Sequence, residues 1–253
     1  MPGTVSGSRG RISVRKDHRP YLVKKAWFSF QNFYLHHFLE PQLEGLGPNP
    51  YVVKPWHIEV FGAPVTIGAN VTLLGASDKK TRLTVWTDKP DVRGIEIGDH
   101  VLISPGVRIS AAREILISDN CMIASNAYIT DSDWHGIYDR SLPPAEACPV
   151  RLEQNVWIGD SAIVCKGVTI GENSIIGAGA VVSSHIPANA IAVGNPARVI
   201  RTLDPDQPIT TRKDRFSDVD KISMLLDNQD RAMLQANTYF GWLKQLFFPS
   251  RKE

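Results

Sequence analysis

The sequence has few cysteines, no long apolar run and almost no net charge. Its 253 residues contain 3 cysteines (Cys121, Cys148 and Cys165), with neither the pattern of a secreted disulfide framework nor CxxC spacing. No stretch reaches the roughly 18 apolar residues of a membrane span, and the polar N-terminus lacks a signal-peptide core. A formal charge of +2 provides no global field for nucleic acid. These absences predict a cytoplasmic chain that neither spans a membrane nor binds nucleic acid.

The sequence does contain a repeat of six residues. Inward-type aliphatic residues recur at Ile158, Val164, Ile170, Ile176 and Val182. Small or short residues follow four positions later, at Ala162, Val168, Ser174 and Ala180. The same register occurs upstream at Ile97, Ile103 and Ile109, and again at Ile117, Ile123 and Ile129. A period of six fits neither a helix nor one continuous strand, but it fits a short strand and a corner, repeated.

Three such hexads form one triangular coil, with the aliphatic residue pointing inward and the small residue at the corner. Stacked coils then bury a column of isoleucine and valine. Five glycines each come directly after an isoleucine and are expected to relieve steric crowding in the turns: Gly68, Gly98, Gly159, Gly171 and Gly177. The pattern predicts a parallel β-helix, whose hand the period alone does not give.

Two further segments, NVWIG at 155–159 and GNPARVIR at 194–201, accompany the hexads. With them, the chain resembles the left-handed β-helix acetyltransferases of the maltose and galactoside O-acetyltransferase type, including their polysaccharide-modifying relatives. The resemblance implies a mainly β fold, a left-handed parallel β-helix, acetyl-CoA as co-substrate and a homotrimer with sites between subunits. We expect a helical extension at 1–55, the β-helix at 56–203, and a linker with helices at 204–253.

The repeat is interrupted between Ile129 and Ile158, which lie 29 positions apart, so a loop at about 130–153 must leave the coil path. The loop contains DSDWHG, and His135 is the candidate general base for removing a hydroxyl proton. The resemblance likewise implies a catalytic histidine in this loop, against the alternative of a structural loop histidine. Asp131, Asp133, Glu146 or a backbone carbonyl could orient the ring.

The resemblance also implies contacts with both substrates. The candidate acceptor-binding residues are Asn126, Asp131, Asp133 and Trp157. The candidate coenzyme A-binding residues are Asp160, Ala178, Ser183, Ser184, Arg198 and Arg201, with Lys166 assisting. Asp160 is acidic where the family is usually small and neutral, and Ser184 replaces a frequent lysine. The alternatives are that Ala178 only shapes the core and that the arginines are solvated.

The segments that flank the repeat are predicted to be helical. Trp27, Phe30, Tyr34 and Phe38 are spaced like one face of a helix that Pro41 would end. After a linker at 204–208, two helices are expected, the first capped at Ser217. The second has an aromatic face, followed by Arg251 and Lys252, that fits either a membrane interface or packing against the β-helix or a neighbouring subunit.

The predicted function is transfer of an acetyl group from acetyl-CoA to a hydroxyl of a sugar or lipid-linked glycan precursor, as in polysaccharide biosynthesis, with His135 as base and no metal. A non-catalytic scaffold is one alternative. A γ-class carbonic anhydrase is another, but its zinc needs three convergent histidines and no second histidine lies near His135. A Cys165 acyl-enzyme is a further route.

Overall fold

The computed structural model describes residues 17–87, 89–141, 146–216 and 218–249. Ser217, Arg251 and Lys252, which carried two of the expectations above, lie outside these residues. The chain divides into two units: Phe30–Asp218, which contains the strands, and Met1–Ser29 with Val219–Glu253.

The strands of the larger unit form three sheets, and successive strands pass from one sheet to the next. Face A consists of β1 (Gly45–Leu46), β4 (Val65–Ile67), β7 (Gly94–Ile97), β10 (Glu114–Ile117), β13 (Val150–Leu152) and β16 (Thr169–Ile170). Face B consists of β2 (Tyr51–Val53), β5 (Thr72–Leu74), β8 (Leu102–Ile103), β11 (Met122–Ile123), β14 (Trp157–Ile158), β17 (Ile175–Ile176), β19 (Ala190–Val193) and β20 (Arg198–Thr202). Face C consists of β3 (Ile58–Phe61), β6 (Thr81–Val85), β9 (Arg108–Ala111), β12 (Tyr128–Thr130), β15 (Ile163–Val164) and β18 (Val181–Val182). All pairings are parallel except β19 with β20. The chain is therefore a three-sided parallel solenoid.

The hexad residues form the core, as the sequence predicted. Ile123 pairs with Ile158, and Ile129 pairs with Val164, in adjacent coils. Each of these side chains is completely buried, and the small corner residues Ala162 and Ser174 are buried too. Because burial of each such aliphatic side chain contributes roughly 1.5–3 kcal/mol, the column of hexads is the main source of stability.

The predicted glycines have a different role from the one expected. Gly159 and Gly171 do not have positive φ. Instead, a Cβ on Gly159 would lie 2.6 Å from the backbone nitrogen of Ala178, and one on Gly171 would lie 2.4 Å from that of Ala188. The next coil stacks too closely for a side chain, so close approach rather than turn sterics accounts for these glycines.

Asparagines occupy the corner between faces A and B. Asn120, Asn155, Asn173 and Asn189 all have φ between 57° and 65°, a left-handed conformation that asparagine tolerates well. The Asn155 amide donates to Asn173 Oδ1 at 2.9 Å, and the Asn173 amide donates to Asn189 Oδ1 at 2.9 Å. The amides thus form a hydrogen-bonded ladder along this edge.

The segment before the first strand is helical, and the strands begin before residue 56, where the sequence placed the start of the β-helix. Helix α1 (Tyr21–Tyr34) continues as a π-helical turn at Leu35–Leu39 and a 3-10 turn at Glu40–Gln42, before β1. The buried positions are Gln31, Leu35 and Leu39. Trp27, Phe30 and Phe38 remain largely exposed, whereas Leu35 and Leu39 join the solenoid core.

A segment after β20, here called the strap (residues 204–216), runs back along the corner between faces A and B. It contains the short helix α2 (Arg212–Arg215). Arg212 donates to the His100 carbonyl at 2.6 Å and to Thr72 Oγ1 at 3.0 Å, and the Lys213 backbone N–H donates to Asn120 Oδ1 at 2.8 Å. The strap therefore joins the end of the solenoid to its early coils.

The smaller unit contains the start of α1, helix α3 (Val219–Leu234) and helix α4 (Tyr239–Phe247), so the two C-terminal helices predicted from the sequence are present. Lys24 pairs with Asp230 at 2.6 Å, and the Tyr21 hydroxyl donates to Asp227 at 2.6 Å. Among the described residues, no helix has the length and apolar character needed to cross a bilayer.

Candidate active site

The loop that interrupts the repeat leaves the solenoid at the corner between faces C and A, here called the CA corner. In the preceding coil, only residues 112–113 separate β9 from β10, whereas residues 131–149 separate β12 from β13. The Cys148 backbone N–H donates to the Asp131 carbonyl at 2.9 Å and so closes the base of this loop. The coil therefore continues in register on both sides of the interruption.

Asp131 anchors the start of the loop. Its side chain is completely buried, and its two oxygens accept the backbone N–H groups of Ala112, Arg113 and Glu114 at 2.7–2.8 Å. Burial raises the pKa of this carboxyl, while the three N–H groups oppose the shift. Its oxygens are thus directed at the neighbouring coil, and not toward the exposed part of the loop where the sequence placed a substrate contact.

The other two acidic candidates for orienting His135 also have partners. Asp133 forms an ion pair with Lys166, and this carboxylate raises the pKa of the lysine. Glu146 lies 3.9 Å from the Arg113 guanidinium. His135 is exposed, and within the described residues neither of its ring nitrogens has a hydrogen-bond partner. The imidazole is thus open to a ligand.

Trp134, next to His135, holds the loop against face C. It has a φ of 67°, and its indole nitrogen donates to the Tyr128 hydroxyl at 3.1 Å. The Arg108 guanidinium lies 4.4 Å from the centre of the Tyr128 ring, a cation–π distance. The loop is therefore connected to side chains that project from face C.

Three predicted site residues stack along the opposite edge of face C, the corner between faces B and C, here called the BC corner. Asn126, with a φ of 60°, lies in the turn before β12. The Ser161 N–H donates to the Ser125 carbonyl and the Gly179 N–H donates to the Asp160 carbonyl, which stacks the three turns. Asp160 and Ala178 are both exposed, so Ala178 is not a core residue.

The remaining predicted residues occupy three other positions. Lys166 follows β15 and Ser184 follows β18 with Ser183, so all three lie at the CA corner on successive coils. Trp157 projects from face B and is 45% exposed. The structure thus places the predicted substrate residues along two corners and one adjacent face.

Arg198 and Arg201 lie on β20 at the end of face B. On a regular strand, residues three apart point to opposite sides. Here the register shifts by one residue at Ile200, so that Arg198 pairs with Val193 and Arg201 pairs with Ile191. Val193 and Ile191 are two apart on β19. Both arginines therefore project from the same side, in an arrangement suited to a phosphate group.

The thiol alternative receives little support. Burial, together with the Asp133 charge, raises the pKa of Cys165, which disfavours the thiolate that an acyl-enzyme would need. Burial also raises the pKa of Cys121 to about 12. Among the described residues, there is no group of three or more His, Cys, Asp or Glu side chains arranged to hold a metal ion.

A cavity of about 410 Å³ beside the BC corner involves residues that sequence reasoning missed. Its lining includes Lys79, Lys80, Arg82 and Arg108 as well as Asn126. The sequence signal that could have indicated this cavity was the run of charged residues in SDKKTR between two strands. The contribution of Arg108, from the next coil, could not be read from one segment.

Comparison with known proteins agrees with the repeat. Residues 149–184 match the family described as bacterial transferase hexapeptide (six repeats). The chain is 36% identical over 161 residues to the galactoside O-acetyltransferase of Escherichia coli K12, covering 63% of this chain and 64% of that protein. It is 36% identical over 124 residues to a Staphylococcus aureus Mu50 protein provisionally named an acetyltransferase, covering 43% of this chain and 62% of that protein.

One similar solved structure is a hexapeptide-repeat acetyltransferase of Vibrio cholerae complexed with acetyl coenzyme A. It is 20% identical, covers 72% of this chain and 88% of that chain, and has a TM-score of 0.47.

The solenoid is thus built from repeats of six residues, and one segment of it matches the hexapeptide family. The resemblance to the acetyltransferases of this class that the sequence predicted is confirmed by the named relatives. The chain spans less than two thirds of the length of the two relatives named above.

Proposed function

We propose that this protein is an acetyl-CoA-dependent O-acetyltransferase that acts on a hydroxyl group of a sugar or glycan precursor. The observation that carries the proposal is a solenoid interrupted by a long loop, in which His135 is exposed and has no hydrogen-bond partner among the described residues. The 36% identity to a galactoside O-acetyltransferase supports a sugar hydroxyl as the acceptor.

In the proposed mechanism, His135 accepts the proton of the acceptor hydroxyl as its oxygen attacks the thioester carbonyl carbon. The carbon–sulfur bond then breaks, the coenzyme A thiolate leaves, and the proton on His135 returns to that sulfur. Direct transfer in a ternary complex is favoured over an acyl-enzyme because the raised pKa of Cys165 keeps its thiol protonated. No metal is required by this chemistry.

The residues of this chain fit coenzyme A in part. Arg198 and Arg201, side by side on β20, suit its phosphates, and Ser183 offers a hydroxyl group at the CA corner. Asp160 does not suit an anion, and its carboxylate instead accepts the Ser161 hydroxyl at 2.6 Å. Lys166 is neutralised by Asp133, so its part in phosphate binding would require that ion pair to open.

The division of the site between two corners supports a trimer. The left-handed turn of the solenoid is proposed from the resemblance alone. Asn126, Asp160 and Ala178 lie at the BC corner, whereas the loop, Ser183 and Ser184 lie at the CA corner. Within one prism, face C separates these edges. In a ring of three prisms, the BC corner of one protomer faces the CA corner of the next, and the two sets of residues converge.

We also propose a cytoplasmic location, with α4 as a peripheral contact for a lipid-linked acceptor. Phe240, Leu243 and Phe247 on this helix are exposed, as an interfacial helix requires. Binding of the purified chain to vesicles with and without anionic lipid, compared with a Phe240→Ser/Phe247→Ser variant, tests this. Equal sedimentation of both proteins with vesicles would contradict it.

Replacement of His135 tests the proposed mechanism. His135→Ala should lower kcat by about 100-fold to 10,000-fold, because the general base is lost. Since the side chain is exposed, the midpoint of thermal unfolding should not change. Release of free coenzyme A is measured with acetyl-CoA and a panel of nucleotide sugars, lipid-linked sugars and free sugars.

His36→Ala is the matched control, because His36 lies on the exposed surface of the helical segment, paired with Glu40. Its activity should equal that of the wild type. Full activity in His135→Ala would reject the general base. Absence of acetyl-CoA binding to the wild-type chain would instead favour a non-catalytic scaffold.

A further inference from the structure

The cavity beside the BC corner is bordered by a turn that is longer than the two turns stacked on it. Residues 75–80 connect β5 to β6, whereas the turns stacked on it, 104–107 and 124–127, are shorter. An antiparallel bridge between Ala76 and Lys79 holds the additional residues in a projecting bend. The cavity of about 410 Å³ lies between this bend and the side chains of Arg108 and Asn126.

The lining of this cavity is strongly cationic. Lys79, Lys80, Arg82 and Arg108 contribute four positive charges, against the single carboxylate of Asp78. Glu59, outside the lining, forms ion pairs with Lys80 and, at 2.7 Å, with Arg82, and these partners lower the pKa of Glu59.

Lys79 and Arg108 have no such compensation. Across the described residues, no carboxylate lies within ion-pair distance of either side chain. Lys79 and Arg108, which have no ion-pair partner among the described residues, thus face the same space, and the four cations outnumber the carboxylates of Asp78 and Glu59. This arrangement favours a ligand that carries at least one full negative charge.

Gly106 keeps the floor of the cavity open. Its φ is +81°, and a Cβ at this position would lie 2.7 Å from Asn126 Oδ1 and 3.2 Å from the Cβ of Lys79. A side chain here would therefore occupy the space between the amide and the lysine. The Asn126 amide supplies a neutral hydrogen-bonding group beside the cations.

Tyr128 connects this cavity to the loop that contains His135. Its ring carries the Arg108 guanidinium at 4.4 Å, and its hydroxyl accepts the Trp134 indole N–H at 3.1 Å. A ligand that contacts Arg108 is thus two side-chain contacts away from the residue that precedes His135. In the proposed trimer, the same corner also faces the loop of the adjacent protomer, so the ligand extends across that interface toward the His135 loop of the neighbouring chain.

We propose that this cavity binds a phosphate or diphosphate group of the acetyl acceptor, so that the acceptor is a sugar attached to a nucleoside diphosphate or to a lipid diphosphate and not a free sugar. The assignment of the ligand as the acetyl acceptor rests on the proposed function, whereas the anion site itself does not depend on it. Asn126 would contact the sugar nearest the phosphate, and the distal hydroxyl would reach His135 of the adjacent protomer in the proposed trimer.

Binding of inorganic pyrophosphate tests the anion site without any requirement for activity. Isothermal titration calorimetry is performed on the full chain as wild type, Lys79→Glu, Lys79→Met and Lys213→Glu. Lys213 is an exposed lysine of α2 outside the cavity lining, so its reversal controls for net charge. We expect Kd to increase about tenfold or more in Lys79→Glu, less in Lys79→Met, and not in Lys213→Glu. Equal Kd values in all four proteins would overturn the proposal.

Coenzyme A also carries phosphates, so the titration is repeated with saturating acetyl-CoA. If the cavity serves the acceptor, pyrophosphate binds with the same Kd in its presence. Competition between the two would assign the cavity to coenzyme A and overturn the acceptor assignment. Failure of acetyl-CoA to bind at all would reject the proposed function but leave the Lys79 comparison, and hence the anion site, intact.

Discussion

The carboxylate of Asp131 is fully buried, although the sequence places it in a polar loop between two other candidates for the active site. Its surroundings raise its pKa, so the carboxyl binds a proton more readily in the folded chain than in the unfolded chain. The contribution of this group to the free energy of unfolding therefore decreases as the pH rises through the pKa of the carboxyl in the folded chain. At neutral pH, its three backbone hydrogen bonds offset the cost of burying the charge.

Asp131→Asn should destabilise the protein by about 1–3 kcal/mol. An amide can present only one oxygen, and its NH2 group would face a backbone N–H of Ala112 or of Arg113 and Glu114. Urea unfolding followed by circular dichroism measures the loss. Asp139→Asn is the control, because among the described residues that exposed carboxylate accepts only from Ser141, and a change of less than about 0.5 kcal/mol is expected. Equal stability of both variants would contradict the anchoring role.

At the same scale, the sequence located the loop and its histidine but not the partners of the loop side chains. The interruption of the hexads is a local signal, readable from one segment. The ion pair of Asp133 with Lys166 and the cation–π contact of Arg108 with Tyr128 join residues from different coils. Such contacts depend on how coils stack, which the spacing of one hexad does not determine.

At the scale of elements, the asparagine ladder between faces A and B repeats the same left-handed conformation and the same amide hydrogen bond from coil to coil. Asn173 is its central described member, since its amide group accepts from Asn155 and donates to Asn189, at a φ of 61°. Two separate effects, backbone conformation and side-chain hydrogen bonding, therefore favour asparagine at one position.

Replacement of Asn173 by alanine and by glycine separates these effects. Asn173→Ala should cost about 2 kcal/mol, because it loses the amide and places a Cβ at positive φ. Asn173→Gly should cost about 1 kcal/mol, because glycine adopts this φ freely and loses only the amide. Thermal and urea unfolding give both values. If glycine proved as costly as alanine, the amide ladder alone would account for the preference.

For the elements, hexad spacing predicted the strands from Ile97 onward, because each buried residue and corner recurs at a fixed interval. It missed β1 and β2, which pair with later strands but lie in a segment rich in proline and without that interval. The aromatic spacing predicted a helix correctly, but it did not indicate that Leu35 and Leu39 in the π-helical turn reach the core.

For the whole molecule, the division of the candidate site between two corners predicts a trimer. Sedimentation velocity should give a single species of three times the chain mass. His135→Ala should retain that mass, because the imidazole is exposed and has no hydrogen-bond partner among the described residues. A monomeric mass for the wild type would remove the argument that Asn126 and His135 of adjacent protomers share one site.

The strap has a consequence for how the solenoid unfolds. In a simple stack of coils, each coil touches only its neighbours, so the last one can peel away while the first remains intact. Here Arg212 and Lys213 form hydrogen bonds with Thr72, His100 and Asn120, which lie far earlier in the chain. Unfolding of the C-terminal end would also have to break these hydrogen bonds, so the free-energy cost of opening the last coil includes contacts with the early coils. The strap thereby couples the two ends of a one-dimensional array, so that the last coils and the early coils unfold cooperatively.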